Sequence, residues 1–305
     1  MAFLPKIYTD ENAARRHLEK LQWPDGPICP HCGVVNEATL LKGKSTRPGV
    51  YKCKPCQKPF SVTVGTVYED SHVPLHKWVY ATHLLTASKK GISSHQLHRT
   101  LGVSYKTAWF MSHRIREAMR PAKLTPMGGA GKIIEVDETV FGFQEGANAK
   151  TPRQGSQFRN VVLTLVERKG SARSFKIDGT TVGQIVPVVR TNIRRESDLM
   201  TDQATWYKKV GSEFASHETV NHEIDEYVRG NVTTNTVEGY YSIFKRGMKG
   251  IYQHCSEKHL HRYLSEFDFR YSNRSALGVE DAARADKALE GIRGKRLKYR
   301  TANEA

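Results

Sequence analysis

Three carboxylates, Asp137, Asp202 and Glu238, stand in contexts that let them converge on one centre. Asp137 directly follows the apolar stretch Ile133-Ile134-Glu135-Val136, and Asp202 closes Ser197-Asp198-Leu199-Met200-Thr201-Asp202. Thirty-five residues separate Asp202 from Glu238, which lies in the first turn of a helix that Thr234 or Asn235 can start. Gathered together, the three would repel one another and hold their protons more tightly, so such a pocket is expected to bind a divalent cation. Oxygen ligands of this kind select Mg or Mn. Two such ions would polarise a phosphodiester, activate water or a 3′-hydroxyl and stabilise the leaving oxygen, which is the chemistry of DNA strand transfer. Lys245 follows Glu238 by seven residues and shares its helical face. The bland alternative is that, among 31 acidic residues, Asp137 is an edge-strand charge, Asp202 a turn residue and Glu238 a favourable first-turn acid.

A second constellation is sulfur. Four of the five cysteines fall as Cys29-x2-Cys32 and Cys53-x2-Cys56 with twenty residues between the pairs, and each pair encloses a proline. Four thiolates complete a closed tetrahedral zinc site with no open position, so the metal is expected to be structural. Thiol redox work is the alternative for one pair, and two disulfides for a secreted chain. Cys255 stands alone and reads as a small packed side chain.

The elements that must hold these residues read as mixed α/β. Strands are expected over 132–141, 160–166 and 174–178, then a helix over 181–192, a strand over 197–202, a helix over 205–214 and a strand over 217–221. Upstream, helical texture begins at Pro74, with Leu75, Trp78, Val79, His83 and Leu84 on one apolar face. Ser93 or Ser94 can cap the next helix, Gly102 can close it and Ser104 can cap another running towards Met119. Two helices around a Gly turn fit a helix-turn-helix as well as an ordinary helical hairpin. In the first case Tyr105, Lys106 and Thr107 would meet the major groove, and Arg114 and Arg116 would meet phosphates.

Composition agrees with a polyanionic partner. The chain has 305 residues and 47 Lys and Arg against 31 Asp and Glu, a formal charge of +16, which favours nucleic acid over the alternative of a merely soluble basic surface. No run of eighteen apolar residues and no signal-like N-terminus is present, so the expectation is a soluble, cytoplasmic, nucleoid-associated protein without a membrane partner. The stretch Gly291 to Arg300 carries five basic residues and reads either as a phosphate-binding tail or as a solvated end.

In this order the motifs resemble the transposases of the insertion-sequence 1595 family. The resemblance rests on Leu21 to Gly33, Phe60 to Thr66, Val136-Asp137-Glu138-Thr139, Thr201-Asp202, Asn235 to Gly247 and His259 to Arg270. It implies an RNase H-like catalytic domain preceded by a zinc ribbon and a helical DNA-binding module, and metal-dependent cleavage and joining of transposon ends. Asp137 and Asp202 carry over as the first two metal ligands. The third is Glu or Asn in this family, here Glu238 paired with Lys245, or Asn235. Two departures from the family pattern are visible: Thr233 stands where His is common, and Ser272 is inserted before Asn273-Arg274.

The expected organisation is an N-terminal helix and zinc ribbon over 1–66, a helical module over 67–122, an RNase H-like domain over 132–275 and a basic tail over 276–305. The expected activity is a DDE transposase acting on double-stranded DNA at terminal inverted repeats and target sites. It would carry structural zinc and two catalytic Mg or Mn ions and work as a homodimer or larger assembly. The alternative is a zinc-ribbon DNA-binding regulator or an inactive domesticated copy.

Overall fold

The computed structural model describes residues 4–144, 159–220, 228–229 and 232–298. Asn221, Tyr299 and Arg300, included above in an expected strand and in the basic closing stretch, lie outside the described residues. The chain divides into two compact units, Met1–Arg120 with Glu280–Ala305, and Pro121–Val279.

In the first unit, Asp10 caps helix α1 (Glu11–Gln22) by accepting the Ala13 N–H at 2.7 Å, which satisfies a donor that the first turn leaves over. The cysteine-bearing segment folds as a three-stranded antiparallel sheet, β1 (Ala38–Leu40), β2 (Tyr51–Cys53) and β3 (Pro59–Phe60), in that order. Trp23, Tyr51 and Phe60 pack together against it with centroids 5.4 to 5.8 Å apart. Helix α2 (Leu75–Ala87) buries Leu75, Trp78, Val79, Thr82, Leu85 and Thr86. His83 and Leu84 are only half-buried, so the apolar face sits one position away from the expected one. Threonines can join it because Thr82 and Thr86 return their hydroxyls to the carbonyls of Trp78 and Thr82, both at 2.9 Å. Ser93 and Ser104 then cap α3 (Ser94–Leu101) and α4 (Tyr105–Met119), each accepting an N–H at 3.1 Å. Gly102 ends α3 at φ 60°, a left-handed conformation that costs glycine nothing in Cβ contacts.

The second unit is built on a five-stranded mixed sheet of β4 (Ile133–Phe141), β5 (Asn160–Glu167), β6 (Ala172–Ile177), β7 (Asp198–Asp202) and β8 (Ser216–Val220), in the order β6-β5-β4-β7-β8. The first three strands run as an antiparallel meander, and β7 and β8 pair parallel beside β4. Parallel neighbours need crossovers, supplied by α5 (Val182–Asn192) and α6 (Thr205–Gly211). A short hairpin of β9 (Val228–Arg229) and β10 (Val232–Thr233) leads into α7 (Asn235–Gly247), a π-helical turn Met248–Tyr252 and α8 (Glu257–Ser272). Strand alternation splits the core in two. Val161, Leu163 and Leu165 pack with α5 and α6 residues on one face, while Val162 and Val166 pack with Val237, Tyr240, Tyr241, Phe244 and Phe267 on the other. Each such side chain contributes roughly 1.5–3 kcal/mol when fully buried. β4 follows the same rule with a chemical difference: Ile134 and Val136 join the first core, and Glu135 and Asp137 point to the α7 side.

The chain then returns to the first unit, which corrects the expected basic tail over 276–305. Asp281–Glu290 form helix α9, which packs on α2 with Ala285, Ala288 and Leu289 buried. His17 bonds Asp286 at 2.7 Å, and Gln22 donates to the Leu289 carbonyl at 2.7 Å. Beyond the helix, Ile292 is fully buried, Lys295 donates to the Ala118 carbonyl at 2.9 Å and Arg296 pairs with Asp70 at 2.7 Å. Ala282, Ala283, Ala285 and Ala288 were the available signal for this helix, since alanine has the highest helix propensity.

Candidate functional site

The parallel register of β4 and β7 sets Glu135 opposite Met200. Two residues beyond that last pair, strand alternation turns Asp137 and Asp202, at the carboxyl end of β7, to the same face. Asp137 is half-buried and accepts the Glu138 N–H at 2.8 Å. Burial, then the charge of Glu138, push its carboxyl up to about 7 against that bond, and the charges of Asp202 and Glu238 act in the same direction. The three expected carboxylates thus share one electrostatic neighbourhood. They are gathered without being closed: among the described residues, only the four cysteines bring three or more ligand atoms within 4.8 Å of one another.

Glu238 arrives on α7, and the way α7 is held was not legible beforehand. The helix's own N-cap, Thr234, makes no side-chain capping bond; its hydroxyl donates to the Glu238 carboxylate at 2.9 Å instead. Capping comes from β4. The fully buried Glu135 carboxylate accepts the Thr236 N–H at 2.7 Å, the Val237 N–H at 3.0 Å and the Thr236 hydroxyl at 2.7 Å. A carboxylate at a helix N-terminus satisfies orphan donors and complements the positive end of the helix dipole. Arg168 neutralises it at 2.6 Å and donates to the Thr233 carbonyl at 2.8 Å. Deeper along α7, Tyr241 donates to the Asp137 carbonyl at 2.6 Å, and Tyr240 donates at 2.6 Å to Asp268, a half-buried α8 carboxylate that also takes two bonds from Ser174. The strand that carries Asp137 therefore also fixes the helix that carries Glu238.

Asn235 and Glu238 are both exposed on the first turn of α7, and Lys245 is half-buried two turns on, 6.0 Å from the Tyr241 ring. The two departures from the family pattern have local roles. Thr233 accepts the Asn235 N–H at 3.0 Å, and the Ser272 hydroxyl accepts the Ala172 N–H at 3.0 Å.

Glu138 is a carboxylate that sequence reasoning passed over. It leaves β4 on the α6 side, where Tyr207 donates to it. Burial and the charge of Asp202 push it up to about 7 although the Tyr207 bond opposes this. The adjacent Asp137-Glu138 pair was the signal. With folded values near 7 against ordinary values of 3.8 and 4.5, the folded chain holds more protons than the unfolded one between about pH 4 and pH 7. Stability must then fall as pH rises through that window, by on the order of 2–4 kcal/mol for the coupled pair. In buffer free of Mg and Mn, the melting temperature of the wild type should fall from pH 5 to pH 8 more steeply than that of the double variant Asp137→Asn, Glu138→Gln. Parallel curves would refute the assignment.

The four cysteines make the second centre. Cys29 lies 3.7 Å from Cys56 and Cys32 lies 3.6 Å from Cys53, sulfur to sulfur. A tetrahedron with Zn–S of about 2.3 Å has edges of about 3.8 Å, so the sulfurs fit zinc. Both knuckles turn the same way, with Gly33 at φ 78° and Gln57 at φ 59° immediately after the second cysteine. Four thiolates this close repel one another, so they need a cation among them. Purified protein is expected to hold about one zinc per chain. Cys53→Ser should lose the metal and the cooperative melting of the first unit, and under half an equivalent of zinc in the wild type would count against the site.

Of the residues expected to meet DNA, Tyr105 and Lys106 are exposed at the start of α4, with Tyr105 stacked on His95 at 4.3 Å. Thr107 is half-buried and bonds the Ser104 hydroxyl at 2.8 Å. Arg114 and Arg116 are corrected, because both are buried at 7% and 1% exposure. Arg114 donates to the Glu69 carbonyl at 2.6 Å beneath Trp78 and Phe110, and Arg116 donates to Ser112 at 2.9 Å. They lie on the inward side of α4, nine to eleven residues past Tyr105, and serve the packing of the unit. No described helix is long and apolar enough to cross a membrane.

Comparison with known proteins matches both parts of the chain to transposase domains. Residues 128–272 match the ISXO2-like transposase domain, and residues 9–59 match the transposase zinc-ribbon domain. Over 284 residues, 87% of this chain and 92% of the relative, the sequence is 27% identical to an uncharacterized protein in transposable element ISH50 of Halobacterium salinarum.

Proposed function

We propose that this chain, which belongs to the insertion-sequence 1595 family of transposases, binds the terminal inverted repeats of its element, cleaves their 3′ ends and joins them to target DNA. The observation that carries this reading is the convergence of Asp137, Asp202 and Glu238 from β4, β7 and α7 on one face of the sheet. The strand order β6-β5-β4-β7-β8, an antiparallel meander continued by two parallel strands, supports the RNase H-like reading of the domain.

The donor set of hard oxygens suits Mg or Mn, which when bound would polarise the phosphodiester and make an attacking water or 3′-hydroxyl more acidic. Asp137, Asp202 and Glu238 would hold the ions. Glu238 is preferred to Asn235 because its charge acts on Asp137, and the Thr234 hydroxyl fixes its carboxylate. Lys245 would pair with a phosphate oxygen of the bound end; Glu135 and Tyr241 keep α7 in register with β4, and Tyr240 ties it to α8. In the first unit, α3, Gly102 and α4 would act as a helix-turn-helix, with Tyr105, Lys106 and Thr107 reading the groove. Two ends are paired in transposition, so a homodimer or larger complex on DNA is part of the proposal.

The deciding measurement is strand transfer of a labelled transposon end into a plasmid with Mg or Mn. Joined product that depends on the carboxylates supports the enzyme. Cleavage without joining would indicate a nuclease, and DNA binding without either reaction would leave a regulator or inactive copy.

A further inference from the structure

We infer that the second unit carries a nucleotide-binding cavity beside Lys245, which takes one unpaired nucleotide of a DNA end; this rests on the reading of the chain as a transposase. The cavity measures about 640 Å³ and is lined by Phe141, Phe143, Arg159, Lys245, Lys249 and His254 among others, with no acidic residue among the described residues of its lining. That volume falls in the range of roughly 300–1,000 Å³ typical of small-ligand pockets. It suits a nucleotide and excludes a duplex.

Two chemistries meet there. Arg159, Lys245 and Lys249 supply three fixed positive charges for phosphate oxygens. Phe141 and Phe143 are half-buried at the end of β4 and just beyond it, and the Arg159 guanidinium sits 5.0 Å from the Phe143 centroid. Aromatic faces and guanidinium planes are the surfaces on which bases stack. A free phosphate would have no use for the rings, and a peptide would have no use for three cations. A base inside a duplex has both faces covered by its neighbours, so only an unpaired one can reach these surfaces.

The walls are built. Asn160 donates to the Phe143 carbonyl at 2.9 Å, and Gln144 donates to the Arg159 carbonyl at 3.1 Å. On the opposite side, the π-helical turn Met248–Tyr252 ends at Gln253, which lines the cavity with φ 59° and ψ −51°. A non-glycine residue rarely adopts this conformation, and such backbone strain, like π-helical turns, concentrates at functional sites. Lys245 belongs both to this lining and to the α7 face of Glu238. The two residues are about 10 Å apart along the helix axis, roughly the length of three stacked nucleotides. A nucleotide held here would thus lie within a few positions of the carboxylate pocket.

The test uses the full chain in buffer free of Mg and Mn, so that no DNA is cut. Binding is measured to a blunt duplex of the element's terminal repeat, to the same duplex with a three-nucleotide single-stranded extension, and to one whose extension is abasic. The base-bearing extension is expected to tighten binding at least about fivefold over the abasic one. Phe143→Ala should remove most of that gain, while Lys249→Gln and Arg159→Gln should weaken binding of both extended probes; each should change blunt-duplex affinity less than twofold, which also shows that the variants fold. Equal affinity of wild type for the base-bearing and abasic probes overturns the inference, as does parallel weakening on all probes in the variants. Strand transfer by a wild type that shows no gain would overturn the cavity and leave the proposed function standing. A gain in a chain without strand transfer would do the reverse.

Discussion

Asp202→Ala is expected to lower the yield of joined transposon ends by three orders of magnitude or more, which is about 4 kcal/mol or more of lost transition-state stabilisation. Asp202 closes β7 beside Asp137, and its charge acts on both Asp137 and Glu138. In the proposed function, removing it would take away a ligand from a cation that would stabilise charge on the reacting phosphate, and such contributions amount to several kcal/mol. Binding of the uncut end, which the proposal assigns to the basic surface and the helical module, should change little. Gel shifts run beside the strand-transfer assay provide that control. The same assay ranks the candidates for third ligand: Glu238→Ala should approach the Asp202→Ala defect, and Asn235→Ala should retain most of the product. Equal product from wild type and Asp202→Ala would end the enzyme reading.

Glu135→Ala should destabilise the second unit by about 3 kcal/mol, measured as a shift in the urea unfolding midpoint. The change leaves the N–H groups of Thr236 and Val237 and the Thr236 hydroxyl without their acceptor, and it strips Arg168 of its ion-pair partner. Breaking a buried pair by removing one member typically costs about 3–5 kcal/mol. The Arg168 side chain keeps 21% exposure, which puts the expectation at the low end. Strand transfer should fall with it, since α7 loses the anchor that sets Glu238 against Asp137. Glu135→Gln, which retains an oxygen acceptor without the charge, should cost less. Replacing both partners with apolar residues, Glu135→Leu with Arg168→Met, should cost less than Glu135→Ala alone. A shift under 1 kcal/mol for Glu135→Ala would show that α7 is held by its apolar face.

Much of this molecule was readable before any coordinates. The cysteine spacing carried the metal centre because four thiolates at two tight turns have few other uses in one short segment. The strands and helices of the second unit followed from alternation and capping, and their order placed Asp137 within the first strand and Asp202 at the end of a later one. Misreadings came where partners distant in sequence decide. Arg114 and Arg116 looked like phosphate ligands because charge suggests exposure, yet the Glu69 carbonyl and the rings of Trp78 and Phe110 make burial acceptable for Arg114. The basic closing stretch looked like a tail because α9, which precedes it, shows its apolar face only when α2 is there to cover it.

What the sequence determined by itself was local: the sulfur ligands, the strand and helix starts, and the identity of three carboxylates able to hold hard cations. These depend on residue type and short spacing, which one strand of text contains. The tertiary structure alone decided the role of Glu135. Its nearest neighbours in sequence, Ile134 and Val136, face the opposite core, and its bonding partners lie 33 to 102 residues away. A buried carboxylate is stable only with such partners, and no pattern along β4 could say that the donors would be the orphan N–H groups of α7. That contact, made once the sheet and helix have packed, turns three separate acids into one candidate site.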